Sequence, residues 1–188
     1  MSNIVIFDLE ATCWDTKTAT ELFKQQHEME IIEIGAVAIN KSTYDIISTF
    51  QTFVKPVLNP ILSDYCKNLT SITSKDISTG LPFTEAYTNF MAWANNPQQF
   101  IAWGYYDYNQ IKKDCELWGI TPFDKNKYIN GKILYQQLTG HKGRGLRKAV
   151  KKYHLEFEGT PHRAISDAIM TAKVLKCAKI ESEKRRKN

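Results

Sequence analysis

The amino-acid sequence predicts an α/β domain in which helices cover both faces of a mixed β-sheet, giving three layers. The chain has 188 residues, of which 43% are hydrophobic, enough for the core of a single domain. Its first part contains three consecutive runs rich in β-branched and aromatic residues, which is typical of antiparallel strands. In its second part, short apolar runs alternate with segments of helical periodicity, which favours strands that alternate with helices.

The three strands predicted in the first part are residues 4–9, 31–39 and 44–54. Polar residues 15–28 indicate a surface excursion between the first two strands. The sequence NKS at residues 40–42 suits a tight hairpin turn between the second and third strands.

The second part predicts two further short strands and a series of helices. Residues 56–78 indicate short helices or loops, with Ser74 as a helix cap. Strands are expected at 100–103 and 127–129, and helices at 82–95, 108–118, 131–138, 146–153 and 163–180. We expect one domain over residues 1–180 and a charged C-terminal tail at 181–188.

Charge is distributed unevenly along the chain, whose net charge is +5. Residues 141–188 contain 14 Lys and Arg against 5 Asp and Glu, whereas residues 1–140 contain 11 against 15. A basic surface suits the phosphate backbone of a nucleic acid, because neutralising phosphates releases counterions. A solvated helix face explains the same charges equally well on composition alone.

Hydropathy and cysteine usage indicate a soluble protein of the cytoplasm. No run approaches the roughly 20 apolar residues of a spanning helix, and Asp8 and Glu10 interrupt the apolar N-terminal run. The four cysteines show no C-x-x-C spacing, so neither a zinc site nor a disulfide framework is indicated. We therefore expect reduced thiols and no membrane partner.

Two carboxylates stand at the end of the first predicted strand. Asp8 and Glu10 are two residues apart, so their side chains point to the same side of the sheet. Carboxylate oxygens suit hard cations such as Mg²⁺ or Mn²⁺. Such a pair is also common at the solvated end of a strand, so taken alone it leaves both interpretations open.

Three more polar residues fall at the ends of predicted elements. Asp107 follows a buried strand, where sites of α/β proteins usually gather, although a helix cap is the simpler interpretation. His162 and Asp167 open the final predicted helix and are five residues apart. A histidine beside carboxylates can act as a general base near neutral pH.

Three segments together resemble a known family of nucleases. FDLEATCW at residues 7–14, WGYYDYNQ at 103–110 and HRAISDA at 162–168 resemble the three exonuclease motifs of the DEDDh, or DnaQ-like, family. The segment LTSITSKDI at residues 69–77 is similar to the branch of histone-mRNA 3′-end exonucleases and RNA-interference regulators. The resemblance extends over roughly residues 4–177.

The resemblance implies a ribonuclease-H-like fold, with a five-stranded mixed sheet flanked by helices, and a catalytic centre. Asp8, Glu10, Asp107 and Asp167 match the acidic ligands of two divalent metal ions, Mg²⁺ or Mn²⁺. Glu10 and His162 match the catalytic residues, with His162 as the general base. The implied activity is 3′→5′ hydrolysis of terminal phosphodiesters of single-stranded nucleic acid, RNA rather than DNA, which releases nucleoside 5′-monophosphates.

The sequence departs from the family pattern at two positions. Some relatives have an acid at Tyr105, and many have an acid at Ser166. Neither position matches a metal ligand, so the departures leave the expected activity intact.

The resemblance also implies a pocket for the 3′ end of the substrate. Its candidate residues are Ala11, Thr12, Leu69, Ile72 and Tyr106. Without the resemblance, Leu69 and Ile72 are as well explained as ordinary core residues.

Basic residues that precede the third motif are candidates for contacts with upstream phosphates; they are Lys142, Arg144, Arg147 and Lys148. Two other functions remain open, a DNA-directed proofreading or repair exonuclease and a catalytically idle adaptor that binds nucleic acid. The complete set of four acids and a histidine argues against the adaptor.

Overall fold

The computed structural model of the protein describes residues 3–15, 17 and 28–187. Within them, five strands form one sheet: β1 (Asn3–Ala11), β2 (Ile31–Asn40), β3 (Ile46–Phe53), β4 (Gln99–Ala102) and β5 (Tyr128–Asn130). Their order across the sheet is β3-β2-β1-β4-β5. β2 is antiparallel to both β1 and β3, whereas β4 is parallel to both β1 and β5. The predicted mixed sheet of five strands is confirmed.

Seven α-helices lie in the described part of the chain. They are α1 (Asp64–Thr70), α2 (Ser74–Ser78), α3 (Phe83–Ala94), α4 (Tyr106–Leu117), α5 (Gly131–Thr139), α6 (Leu146–Lys152) and α7 (Ala164–Lys187). None of these helices combines the length and apolar character that crossing a membrane requires.

Alternation of side chains along β1 divides the core into two layers. Val5, Phe7 and Leu9 face α3 and α4, and Ile4 and Ile6 face α5, α6 and α7. All five side chains are at most 4% exposed. Helices therefore cover both faces of the sheet, as the three-layer prediction requires.

The first turn of α7 lies unusually close to the sheet. A Cβ atom built on Gly35 of β2 would overlap the backbone of Ala164 and Ile165. Gly35 is the register partner of Asp8 on β1. Only a residue without a side chain at position 35 lets the start of α7 approach the strand that carries the acidic pair.

Several predicted boundaries differ from the structure. The turn between β2 and β3 is longer than the predicted tight turn, and its Tyr44 has a φ of +61°. The cap of α2 is Thr73 rather than Ser74, because Thr73 and Asp76 form a capping box. Helix α7 continues to Lys187 instead of ending at Ile180. Most of the predicted excursion at 15–28 lies outside the described residues.

Candidate active site

Asp8 and Glu10 continue the row of Ile4 and Ile6 on the side of β1 that faces α7. Glu10 is 8% exposed and Asp8 is partly buried. Because β1 is the central strand, both carboxylates are surrounded by the domain instead of standing at its solvated rim. The prediction that they share one side of the strand is confirmed.

Asp107 reaches the same strand from α4. It lies in the first turn of that helix, is 6% exposed, and its Oδ1 accepts a hydrogen bond of 3.3 Å from the backbone N–H of Leu9. The pairing of β1 with β4 ends at Ile6 and Ile101. At Leu9 the side chain of Asp107 therefore accepts the backbone hydrogen bond that a paired strand would otherwise accept. This contact places Asp107 beside the backbone between Asp8 and Glu10.

His162 lies just before α7, and Asp167 lies in the first turn of that helix. The backbone N–H of His162 donates to Oδ2 of Asp167 at 3.2 Å, and His162 has a left-handed φ of +62°. Ligand atoms of Glu10, His162 and Asp167 all lie within 4.8 Å of one another. The fold therefore joins two predicted motifs that are 152 residues apart (162 − 10) in the sequence.

A cleft of about 270 Å³ opens beside these residues. Its walls are Asp8, Trp103, Gly145, Leu146, Arg147, Pro161, His162 and Asp167. Two of the predicted carboxylates, Asp8 and Asp167, and the histidine are thus accessible from one side.

Burial and electrostatic repulsion both raise the pKa values of the acids in the site, and burial is the larger cause. Burial, followed by the charges of Asp107, Glu10 and Asp167, raises the pKa of Asp8 well above its usual range. Burial and the charge of Asp167 raise the pKa of Glu10 to about 9, and burial raises that of Asp107 to about 7. Carboxylates crowded in this way hold protons near neutral pH unless a cation compensates them.

The four acids fit divalent cations by their chemistry. Their donors are carboxylate oxygens, which Mg²⁺ and Mn²⁺ prefer, and their repulsion is the kind that a bound cation relieves. The residues that would hold such ions are Asp8, Glu10, Asp107 and Asp167.

The predicted pocket residues lie around the end of β1 and above α1. Ala11 and Thr12 are buried, and Thr12 exchanges hydrogen bonds with the backbone of Glu30 at 2.8 and 2.9 Å. Tyr106 is 46% exposed, and Leu69 is partly buried. Ile72 has no exposed surface and packs in a core cluster, so it supports this region rather than presenting a contact surface.

The predicted basic residues divide between two cavities. Arg147 lines the cleft of the acids, whereas Lys142, Arg144 and Lys148 line a second cavity of about 360 Å³. The second cavity, here called the basic cavity, also includes Tyr135, His141, Ala149, Lys151 and Lys152. The chain order of these residues did not indicate that they line two cavities.

Sequence reasoning missed an ion pair behind the acids. Glu33 of β2 has no exposed surface, lies opposite Glu10 in the strand register and binds Arg163. A charge within the otherwise apolar run IIEIGAVAI was the signal, because a buried carboxylate needs a partner.

A model of the family described as Exonuclease matches residues 5–175. This chain belongs to that exonuclease family. The DEDDh assignment drawn from the three motifs is confirmed, and members of this group use divalent metal ions.

Curated relatives of this exonuclease include bacterial and animal proteins. It is 31% identical to the probable 3′-5′ exonuclease KapD of Bacillus subtilis, over 93% of this chain and 83% of KapD. It is 28% identical to human ERI1 exoribonuclease 2 and 29% identical to the Drosophila melanogaster 3′-5′ exonuclease Snipper, over 90% and 89% of this chain. The matched region spans 27% of the human protein and 66% of Snipper.

Solved structures confirm the ribonuclease-H-like fold of this exonuclease. The nuclease domain of 3′hExo, a DEDDh family member solved with rAMP bound, superposes with a TM-score of 0.83 at 25% identity, over 94% of this chain and 90% of that one. A 3′-exonuclease solved in recognition of the histone mRNA stem-loop gives a TM-score of 0.84 at 25% identity, over 97% and 65% of the two chains.

The crowded acids predict that divalent cations stabilise the protein. Mn²⁺ at about 100 times its dissociation constant should raise Tm by about 5–10 °C relative to chelator, measured by circular dichroism. The cation-free fold holds protons on carboxyls with raised pKa values, so its stability should fall as pH rises through about 7 to 9. The gain from Mn²⁺ should therefore be larger at the upper end of that range.

A matched pair of variants controls this experiment. Asp167→Asn should greatly reduce the gain in Tm, whereas Asp64→Asn, whose side chain is 93% exposed on α1, should leave it unchanged. Equal gains in both variants would contradict a cation site at the acids.

Proposed function

We propose that this chain is a metal-dependent 3′→5′ exonuclease that shortens single-stranded RNA and releases nucleoside 5′-monophosphates. The observation that carries the proposal is the meeting of Asp8, Glu10, Asp167 and His162 at one cleft, with Asp107 bonded behind them. The names of the relatives, which include exoribonucleases, support RNA as the substrate. The rAMP bound to the nuclease domain of 3′hExo is a ribonucleotide of the kind that the proposed reaction releases.

The proposed reaction breaks the bond between phosphorus and the 3′-oxygen of the penultimate nucleotide. Divalent ions at the four carboxylates, Mg²⁺ or Mn²⁺, would favour deprotonation of the attacking water and neutralise phosphate charge. A ring nitrogen of His162 takes the proton of that water. The 3′-oxygen leaves and is protonated, so the products are a nucleoside 5′-monophosphate and a strand with a free 3′-hydroxyl.

Glu10 has a second proposed role beside ion binding. A carboxylate oxygen of Glu10 and a ring nitrogen of His162 lie within 4.8 Å of each other, so the carboxylate can orient the water from which His162 takes the proton. We assign the recognition of a chain end to the region that follows Glu10. The residues around this end of β1 are Ala11, Thr12, Leu69 and Tyr106. Ile72 supports them from the core.

Arg147 and the basic cavity form a proposed path for the rest of the strand. In a 3′→5′ exonuclease the terminal nucleotide occupies the cleft, so all remaining phosphates lie upstream of it. Arg147 lines the cleft, and Lys142, Arg144 and Lys148 line the basic cavity. We assign Arg147 to a phosphate near the scissile bond and the basic cavity to phosphates further upstream.

The cytoplasm is the proposed location of the protein. All four cysteine thiols are free in the structure, as in proteins of a reducing compartment. Fractionation of cells that express the tagged chain measures its location directly.

Digestion of matched strands tests the proposed substrate. A 5′-labelled single-stranded RNA should shorten stepwise with Mg²⁺ or Mn²⁺, release nucleoside 5′-monophosphates and remain intact with chelator. The DNA strand of the same sequence should be cut more slowly. Faster cutting of DNA would favour the repair nuclease, and binding without any shortening would favour the adaptor.

His162→Ala should slow turnover by about 10²–10⁴-fold, because the reaction loses its general base. The cation-induced rise in Tm should persist, since the four carboxylates remain. Single-turnover cleavage at saturating enzyme measures the rate. Replacing exposed His154 by Ala is the matched control and should leave the rate unchanged.

Charge reversal tests the proposed strand path. The double variant Lys142→Glu with Lys148→Glu should weaken RNA binding and lower the slope of log K against log salt by about 1.4, for two lost phosphate contacts. Lys41→Glu with Lys125→Glu is a control of equal charge at the opposite end of the sheet. If both double variants weaken binding equally, the basic cavity is not a path for the strand.

A further inference from the structure

Glu33 is a buried carboxylate for which the proposed chemistry has no use. It lies on β2 opposite Glu10 and has no exposed surface. Burying a carboxylate beside other acids is unfavourable unless hydrogen bonds and a cation compensate it. The partners of Glu33 therefore indicate what it does.

Both oxygens of Glu33 are engaged by the segment that carries the catalytic histidine. Arg163 donates from Nε to Oε2 and from Nη2 to Oε1, both at 3.1 Å, and the backbone N–H of Ala164 donates to Oε2 at 3.0 Å. Gln51 of β3 donates a further bond of 2.6 Å to Oε1. The guanidinium also stacks over the ring of Phe53, with its carbon 5.1 Å from the ring centroid.

This arrangement fixes the chain immediately after His162. Glu33 holds residues 163 and 164, while Asp167 accepts the backbone N–H of His162 itself. His162 has a left-handed φ of +62°, which residues with a side chain rarely adopt. Such a backbone persists only where neighbouring contacts hold it in place.

Arg163 is therefore poorly suited to bind substrate directly. Two nitrogens of its fork face Glu33, and its planar face covers Phe53. A guanidinium held by these contacts is pre-organised, and it fixes the position of the backbone that carries it.

We propose that Glu33 and Arg163 are a pair of positioning residues that set the orientation of His162 toward the reacting water. The inference rests on the proposed role of His162 as general base. A side chain about 1 Å out of place can reduce a rate by about 100-fold, so a small shift of this segment is enough to matter.

A double-mutant cycle between Arg163 and His162 tests the inference. Arg163→Lys keeps the charge but loses the two-bonded fork and the planar face. In the otherwise unchanged chain it should reduce the single-turnover rate at saturating RNA by about 10–100-fold, with KM and the cation-induced rise in Tm unchanged. In the His162→Ala background the same substitution should reduce the rate by less than about threefold, because the residue that Arg163 positions is gone.

Two further variants keep the test independent of folding. Glu33→Gln should give the same non-additive pattern, and Tm in the presence of Mn²⁺ reports whether either variant is folded. Arg186→Lys makes the same exchange at the exposed end of α7 and should change neither rate nor Tm.

The outcomes distinguish the positioning role of Glu33 and Arg163 from the proposed role of His162 as general base. Equal rate losses in both backgrounds, or no loss from Arg163→Lys, would overturn the positioning role while leaving His162 as the base. A rate like that of the unchanged protein for His162→Ala alone would overturn the base itself and the inference with it.

Discussion

Repulsion among carboxylates at the end of β1 is the constraint on which the rest of the site depends. Burial raises the pKa values of Asp8 and Glu10, and the charges of neighbouring carboxylates raise them further, while Asp107 is held beside them by a backbone hydrogen bond. No hydrophobic packing between the acids could hold them together. The sheet and the helices around the acids hold them in this arrangement. A bound cation would relieve the repulsion among their carboxylates.

The topology of the sheet explains how the surrounding strands and helices bring the acids together. β1 is central and parallel to β4, so the residues after β4 return to the same end of the sheet as Asp8 and Glu10. β2, antiparallel to β1, contributes Gly35, which admits α7, and Glu33, which holds its first residue. The central strand and its two neighbours therefore each contribute one side of the candidate site.

Features with strong local signals were predictable from the sequence. The strand before Asp8 and Glu10 was visible as an apolar run, and the period of two placed both acids on one side. Asp107 was expected at a junction and lies inside the first turn of α4, because helix ends are weakly marked when no side chain caps them. The three motifs supplied the rest of the acidic set.

Features that depend on tertiary contacts were not predictable. Glu33 and Arg163 are 130 positions apart, and no local sequence pattern around either residue indicates that the two form a pair. Arg147 and Lys148 are adjacent in the chain but line different cavities, which depends on how their seven-residue helix packs in the fold and not on the local sequence. The left-handed backbone of His162 likewise arises from contacts on both sides of it, against the preference of its residue type.

The length of α7 brings two distant parts of the surface onto one helix. The helix begins beside Asp167 and continues to Glu181, which bonds Tyr153 and pairs with His141 and Lys152 at the border of the basic cavity. At 1.5 Å per residue, its 24 residues extend about 36 Å. A single helix therefore carries both an acid of the candidate site and the carboxylate that pairs with residues lining the basic cavity.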